Sequence, residues 1–226
     1  MANLERFKMF IGGAWVEAAS GAHFESFNPY TGKPWALVPR GGAEDANRAV
    51  EAAQRAFTSG DWPKLKAGQR GALLRKLGDI VAREAERIAA IEVRDNGKLI
   101  AEMGAQLRYI PQWYHYFGGL ADKVEGSVIP SDKPEMLTFT RHEPLGVCVG
   151  ITAWNSPLLL LAYKLAPALA AGNCFIVKPS EFTSASLLEF VNAARSQFEQ
   201  RIICVDQHAL EAQHHTIDHP PVGGID

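Results

Sequence analysis

Three polar residues stand at the ends of two apolar runs: Asn155, Lys178 and Glu181. A side-chain amide at the mouth of a sheet can donate a hydrogen bond to a developing oxyanion. A lysine three residues before a glutamate can donate to one sugar hydroxyl while the glutamate accepts from two adjacent ones. Each has a plainer reading. Asn155 or Ser156, just before Pro157, suits a helix cap. Lys178 and Glu181 suit an exposed ion pair at a strand end, which adds little stability.

The elements that must position these groups follow from pattern. Val147 to Ile151 is uncharged and rich in β-branched residues, which predicts a strand covered on both faces. Leu158 to Ala171 is apolar on almost every side, so it reads as a buried helix opened by Pro157 and closed at Gly172-Asn173. Lys164 interrupts it and needs either a partner or a route to solvent. Pro167 leaves the Tyr163 carbonyl without its donor, which predicts a kink. Cys174 to Val177 is a second apolar strand. Strand, helix, strand makes a right-handed βαβ unit, and ligands gather beyond the carboxyl ends of such strands. Thr152 to Ser156 and Lys178 to Glu181 lie there.

These motifs, W-N-S-P-L with a lysine nine residues after the asparagine and G-N-x-x-x-x-K-P-S-E, resemble the aldehyde dehydrogenase superfamily. Further likeness lies in F-N-P-Y-T-G at 27–32, D-N-G-K at 95–98 and E-P-L-G-V at 143–147, so the resemblance covers roughly residues 7 to 190. It implies an α/β fold: a Rossmann-like parallel sheet with flanking helices, truncated relative to the family. It implies that Asn155 holds the oxyanion formed when a cysteine thiolate attacks an aldehyde, that hydride passes to NAD(P), and that water then hydrolyses the thioester. By the same resemblance Lys178, Ser180 and Glu181 hold the cofactor's adenosine side, and Ile151, Thr152, Ala153 and Trp154 line its nicotinamide side. Trp154 reads equally as a core wedge. A carboxylate at Glu181 disfavours a 2′-phosphate, so NAD is preferred, with NADP left open. Ser156 stands where many relatives carry a bulky aromatic.

The family's other chemistry has no match. Cys148 and Cys174 sit inside strand runs, where thiols are inert packing. Cys204 lacks the family's surrounding glycines, the general-base glutamate motif is absent, and so is the glycine pair that holds the pyrophosphate. The expectation is an aldehyde dehydrogenase relative that is inactive alone. The alternative is a non-catalytic nucleotide-binding or subunit-interaction fragment.

Four parts are expected. Residues 1–122 form an amino-terminal part of hairpins and helices. It holds a Gly12-Gly13 turn, a helix over 44–57 with Ala46, Val50, Ala53 and Phe57 on one face, a tract over 70–93 with a break before Ile88, and a third helix over 102–120 bent or begun by Pro111. The stripe Ile110, Trp113, Tyr114 and Phe117 reads as core; the resemblance would set it beside a substrate tunnel. Residues 123–143 form a ribbon that, by resemblance, pairs with like subunits. Residues 144–194 form the βαβ core, with a helix after Thr183 or Ser184. Residues 195–226 form a divergent, partly disordered tail, with 201–205 readable as one more strand. His208, His214, His215 and His219 lie in it without the closed spacing of a metal site, so no metal is expected. A net charge of −2 gives no argument for nucleic acid or anionic membrane. The longest apolar run is too short for a membrane span. Three cysteines and no signal-like start suit the cytoplasm.

Overall fold

The computed structural model describes residues 4–198 and 202–204. β1 (Glu5–Arg6) is followed by a hairpin of β2 (Met9–Ile11) and β3 (Ala14–Val16). Gly12 and Gly13 both take positive φ, 61° and 87°, the twist-matched turn that only a residue without Cβ adopts readily. β4 (His23–Asn28) and β5 (Lys33–Pro39) pair antiparallel, and β1 joins β5 in parallel, giving a small sheet of order β1-β5-β4.

α1 (Ala43–Thr58) packs on the larger sheet through Ala49, Ala52, Ala53 and Ala56. Val50, expected on that face, is exposed. Small residues let the helix approach the sheet closely, and they carry too little hydrophobicity to mark the face from pattern alone. After a 3-10 turn (Trp62–Lys64), α2 (Ala67–Asn96) runs 30 residues without the expected break. Ala85, Ile88 and Ala89 carry its buried stripe through that region, and Gly97, at φ 73°, ends it. α3 (Ile100–Tyr109) and α4 (Pro111–Leu120) divide at Pro111, which opens the second. α2 rests mainly on α3, α4 and, further along the chain, α6 (Ala185–Phe198), so it forms a layer outside the sheet.

The α2–α4 crossing is closest at two glycines. A Cβ at Gly71 would lie 2.2 Å from the Gly118 carbonyl oxygen, and one at Gly118 would lie 2.8 Å from the Gly71 oxygen. Backbone cannot yield as a side-chain tip does. Gly71→Ala should therefore cost about 2–3 kcal/mol in chemical denaturation, at the upper end for overpacking. A variant as stable as the parent would show that the helices are not held this close.

β6 (Val128–Ile129) and β7 (Thr138–Phe139) pair as a separate exposed ribbon. β8 (Val147–Ile151), α5 (Pro157–Ala170) and β9 (Cys174–Lys178) then form the βαβ unit, with β8 and β9 parallel. α5 continues through Pro167. After α6, β10 (Ile202–Cys204) lies parallel to β9 and antiparallel to β2, so the larger sheet is mixed, with order β3-β2-β10-β9-β8. Its central strand is β10, flanked by β2 and β9. β8 is its outer strand: Val149 and Ile151 are 53% and 54% exposed, which corrects the expectation of cover on both faces. One hydrophobic core joins the amino-terminal hairpin, α1–α5, β9 and α6. The tail histidines lie outside the described residues.

Candidate functional site

The parallel pairing of β8 and β9 sets Ile151 opposite Lys178, and the Thr152 N–H donates to the Lys178 carbonyl at 3.0 Å. The two strands therefore end together, and the loops that follow leave from one side of the sheet. In the first loop Thr152 is buried and its hydroxyl has no hydrogen-bond partner among the described residues. Ala153, Trp154 and Asn155 are exposed. Trp154 is no core wedge: it is 55% exposed and lines a groove.

In the second loop the Thr183 N–H and the Ser184 hydroxyl both donate to the Ser180 carbonyl, at 3.1 and 3.0 Å. The Ser180 hydroxyl accepts the Phe182 N–H. Ser180 thus braces a tight turn and is itself buried, while Glu181 projects to solvent and Lys178 is half-buried. The groove, about 800 Å³, is lined by Phe24, Phe27, Arg40, Asp95, Trp154 and Glu181 among others. It brings one residue of each expected cluster together. Asn155, Ile151, Ala153 and Lys178 are at the same strand ends but do not line it.

Ser156 occupies the N-cap position of α5 without making a cap bond. Its hydroxyl instead accepts from Lys98 Nζ at 2.7 Å and Gln106 Nε2 at 3.2 Å, tying the loop to the α2–α3 connection and to α3. Lys164 is exposed, so its charge is met by water and needs no buried partner. The aromatic stripe divides. Tyr114 is fully buried and stacks on Phe190, whereas Trp113 meets Tyr163 of α5 edge-on at 4.6 Å beside open surface.

Two buried acids of α2, one of them the groove-lining Asp95, carry no sequence motif that marks them. Asp95 accepts from the Ser26 hydroxyl at 2.6 Å and from the Ala185 N–H at 2.9 Å, so it caps α6 from another helix. Burial nevertheless pushes its pKa up to about 6. Glu92, one turn earlier, is fully buried; neither carboxyl oxygen makes a hydrogen bond of ordinary geometry among the described residues, though the Ser186 hydroxyl lies near enough to favour its charged form. Burial, reinforced by the nearby Asp95 charge, raises its pKa to about 8. The available signal was polar residues at i and i+3 on the buried face of α2.

Of the cysteines whose side chains are described, neither suits a nucleophile: Cys174 is wholly buried in β9, and partial burial raises the Cys148 pKa. Among the described residues no group of histidine, cysteine and acidic side chains has the arrangement of a metal site, and no helix is long and apolar enough to cross a membrane.

The model of the aldehyde dehydrogenase family matches residues 15–226, further along the chain than the motifs alone carry the likeness. A (Z)-2-((N-methylformamido)methylene)-5-hydroxybutyrolactone dehydrogenase from Acinetobacter baylyi is 47% identical over 187 residues, covering 83% of this chain and 38% of that protein. A hydroxyisobutyraldehyde dehydrogenase from Mycolicibacterium austroafricanum is 42% identical over 221 residues, covering 96% of this chain and 43% of its own length. Among solved structures, betaine aldehyde dehydrogenase from Staphylococcus aureus in complex with NAD+ superposes with a TM-score of 0.85 at 36% identity, covering 88% of this chain and 40% of that one. The chain thus spans about two fifths of the length of the relatives it matches.

Proposed function

The chain belongs to the aldehyde dehydrogenase family, and from that premise we propose that its described residues form the cofactor-binding part of an NAD(P)-dependent enzyme that oxidises an aldehyde to a carboxylic acid. The observation that carries this reading is the shared exit of the two loops, fixed by the Ile151–Lys178 register. The donor set fits a dinucleotide. Lys178 offers a cation and Glu181 a carboxylate for ribose hydroxyls, beside an open groove walled by aromatic rings. Backbone of Ile151 to Trp154 and the unpaired Thr152 hydroxyl offer polar groups on the nicotinamide side. NAD is favoured over NADP because the Glu181 carboxylate repels a 2′-phosphate. A dinucleotide held there would supply the hydride acceptor for the oxidation. Asn155, exposed at the same strand end, donates its amide N–H to the substrate oxygen as negative charge develops on it.

Cys148 and Cys174 do not suit the nucleophile and Cys204 lacks the family's surrounding glycines, so this reading expects the chain alone to bind NAD without turnover. Titration calorimetry should detect NAD binding that weakens at least about tenfold, or about 1.4 kcal/mol, in Lys178→Ala and in Glu181→Ala. Absence of binding heat in the parent chain would remove the cofactor reading. Steady NADH production by the purified chain, abolished by Asn155→Ala, would remove the inactivity.

A second reading, association with like subunits, is favoured by the ribbon. Val128, Leu137 and Phe139 are 73%, 75% and 60% exposed on a two-stranded edge. Sedimentation of the parent chain against Leu137→Glu separates a ribbon-mediated oligomer from a monomer. The partly buried Cys148 thiol, unpaired in a disulfide, suits a cytoplasmic protein.

A further inference from the structure

The groove that Glu181 lines has another wall, built by β4 and the end of β5, and Arg40 stands on it. The backbone there is fixed: the Arg40 N–H donates to the Ala22 carbonyl at 2.8 Å, just beyond the last β4–β5 pair, His23 with Pro39. Asp95 spans the two walls, since it accepts from Ser26 of β4 and from the Ala185 N–H that follows the Glu181 loop. The space they enclose is open and about 800 Å³, and Arg40 is exposed. Among the described residues no carboxylate lies within ion-pair distance of Arg40, and it is the one cation lining the groove. Two exposed carboxylates, Glu25 and Glu181, line it as well. A free anion therefore gains little on entering. An anion carried by a nucleoside gains at both walls. Glu181 accepts from ribose hydroxyls, and a guanidinium presents paired N–H donors that match two phosphate oxygens.

We propose that Arg40 binds the diphosphate of the dinucleotide across the groove from the ribose site at Glu181, and so sets which way the cofactor lies. This rests on the cofactor reading of Lys178 and Glu181. Arg40 belongs to none of the motifs that carry the family resemblance. A 2′-phosphate offers the same chemistry, but it would stand on the ribose that Glu181 holds and meet that carboxylate. The simpler role, a solvated surface arginine, gives no preference between a phosphorylated and a bare nucleoside.

Amide NMR titrations of the full chain with adenosine, ADP, 2′-AMP and inorganic phosphate test this. In the parent chain ADP should bind about tenfold or more tighter than adenosine and shift residues 40 and 181 together. Arg40→Ala should erase that difference while adenosine affinity stays as it was. Arg40→Lys, which keeps the charge without the planar fork, should keep part of it. Equal ADP and adenosine affinity in the parent, or an ADP advantage that survives in Arg40→Ala, would overturn the proposal. So would an Arg40-dependent advantage for 2′-AMP in place of ADP. Inorganic phosphate saturating residue 40 as tightly as ADP would reduce the site to an adventitious ion only. An NAD titration on the same samples separates the two levels. NAD shifts at 178 and 181 with an affinity that Arg40→Ala leaves unchanged would sink Arg40 alone. No shift with NAD, ADP or adenosine would remove the cofactor reading, and Arg40 with it.

Discussion

Raising the pH from about 5 to about 8.5 will lower the melting temperature of the parent chain by about 10 °C, and Glu92→Gln will remove most of that loss. The sign follows from proton counting. In the folded chain Glu92 titrates at about 8, against an ordinary glutamate value of 4.5. Between those values the folded state keeps a proton that the unfolded chain releases, so stability is fully present below the unfolded value and falls as pH rises to the folded one. Each pH unit in this window costs about 1.4 kcal/mol, which over roughly three units is on the order of 4 kcal/mol. Asp95 adds a smaller loss of the same sign at lower pH, since burial raises it to about 6 from 3.8. Glutamine fills the same space and does not titrate. Its unpaired amide will lower stability at every pH by a similar amount, so the slope is the diagnostic quantity. Parallel melting curves for parent and variant across the pH range would show that Glu92 is not the buried acid described.

Asp95→Ala should cost about 3–5 kcal/mol at neutral pH, the largest loss expected from a single polar residue here. Two bonds to an ionised acceptor disappear, at about 1.5–3 kcal/mol each, and their donors remain buried. Those donors are the Ser26 hydroxyl of β4 and the Ala185 N–H that opens α6. One side chain thus links α2, the smaller sheet and the helix that follows the Lys178–Glu181 loop. Asp95→Asn keeps one acceptor oxygen and should cost less than half as much. Urea unfolding gives the magnitude, and faster amide exchange over residues 183–187 in Asp95→Ala gives the location. A loss under about 1 kcal/mol would place these donors in water.

The parts of this fold that sequence disclosed are those fixed by neighbours in the chain. Gly12-Gly13 marks its own turn, Pro157 opens α5, Pro111 opens α4, and the apolar runs of β8 and β9 announce a βαβ unit. What stayed hidden depends on partners far along the chain. The composition of β8 suits an interior strand, yet cover depends on what lies beside it, and here Val149 and Ile151 face outward. Local pattern offers Asn155 or Ser156 as the cap before Pro157, and Ser156 takes that position without making a cap bond. Its true partners stand 58 and 50 residues earlier, and no local pattern specifies them. Asp95 caps a helix 90 residues away. Within the site, the loop residues were visible as motifs, whereas the donors and acids that brace them were not.

The place of β10 bears on how the chain reaches this state. Phe10 pairs with Cys204, and Ile202 to Cys204 pair with Phe175 to Val177, so a strand made late fills the gap between one made early and one made midway. During synthesis the hairpin and β9 must each wait with an unoccupied edge while the ribosome adds the last described strand. Closing so long a loop is slow, and open edges of this kind attract other chains. Nascent chains should therefore lean on chaperones until residue 204 has cleared the exit tunnel.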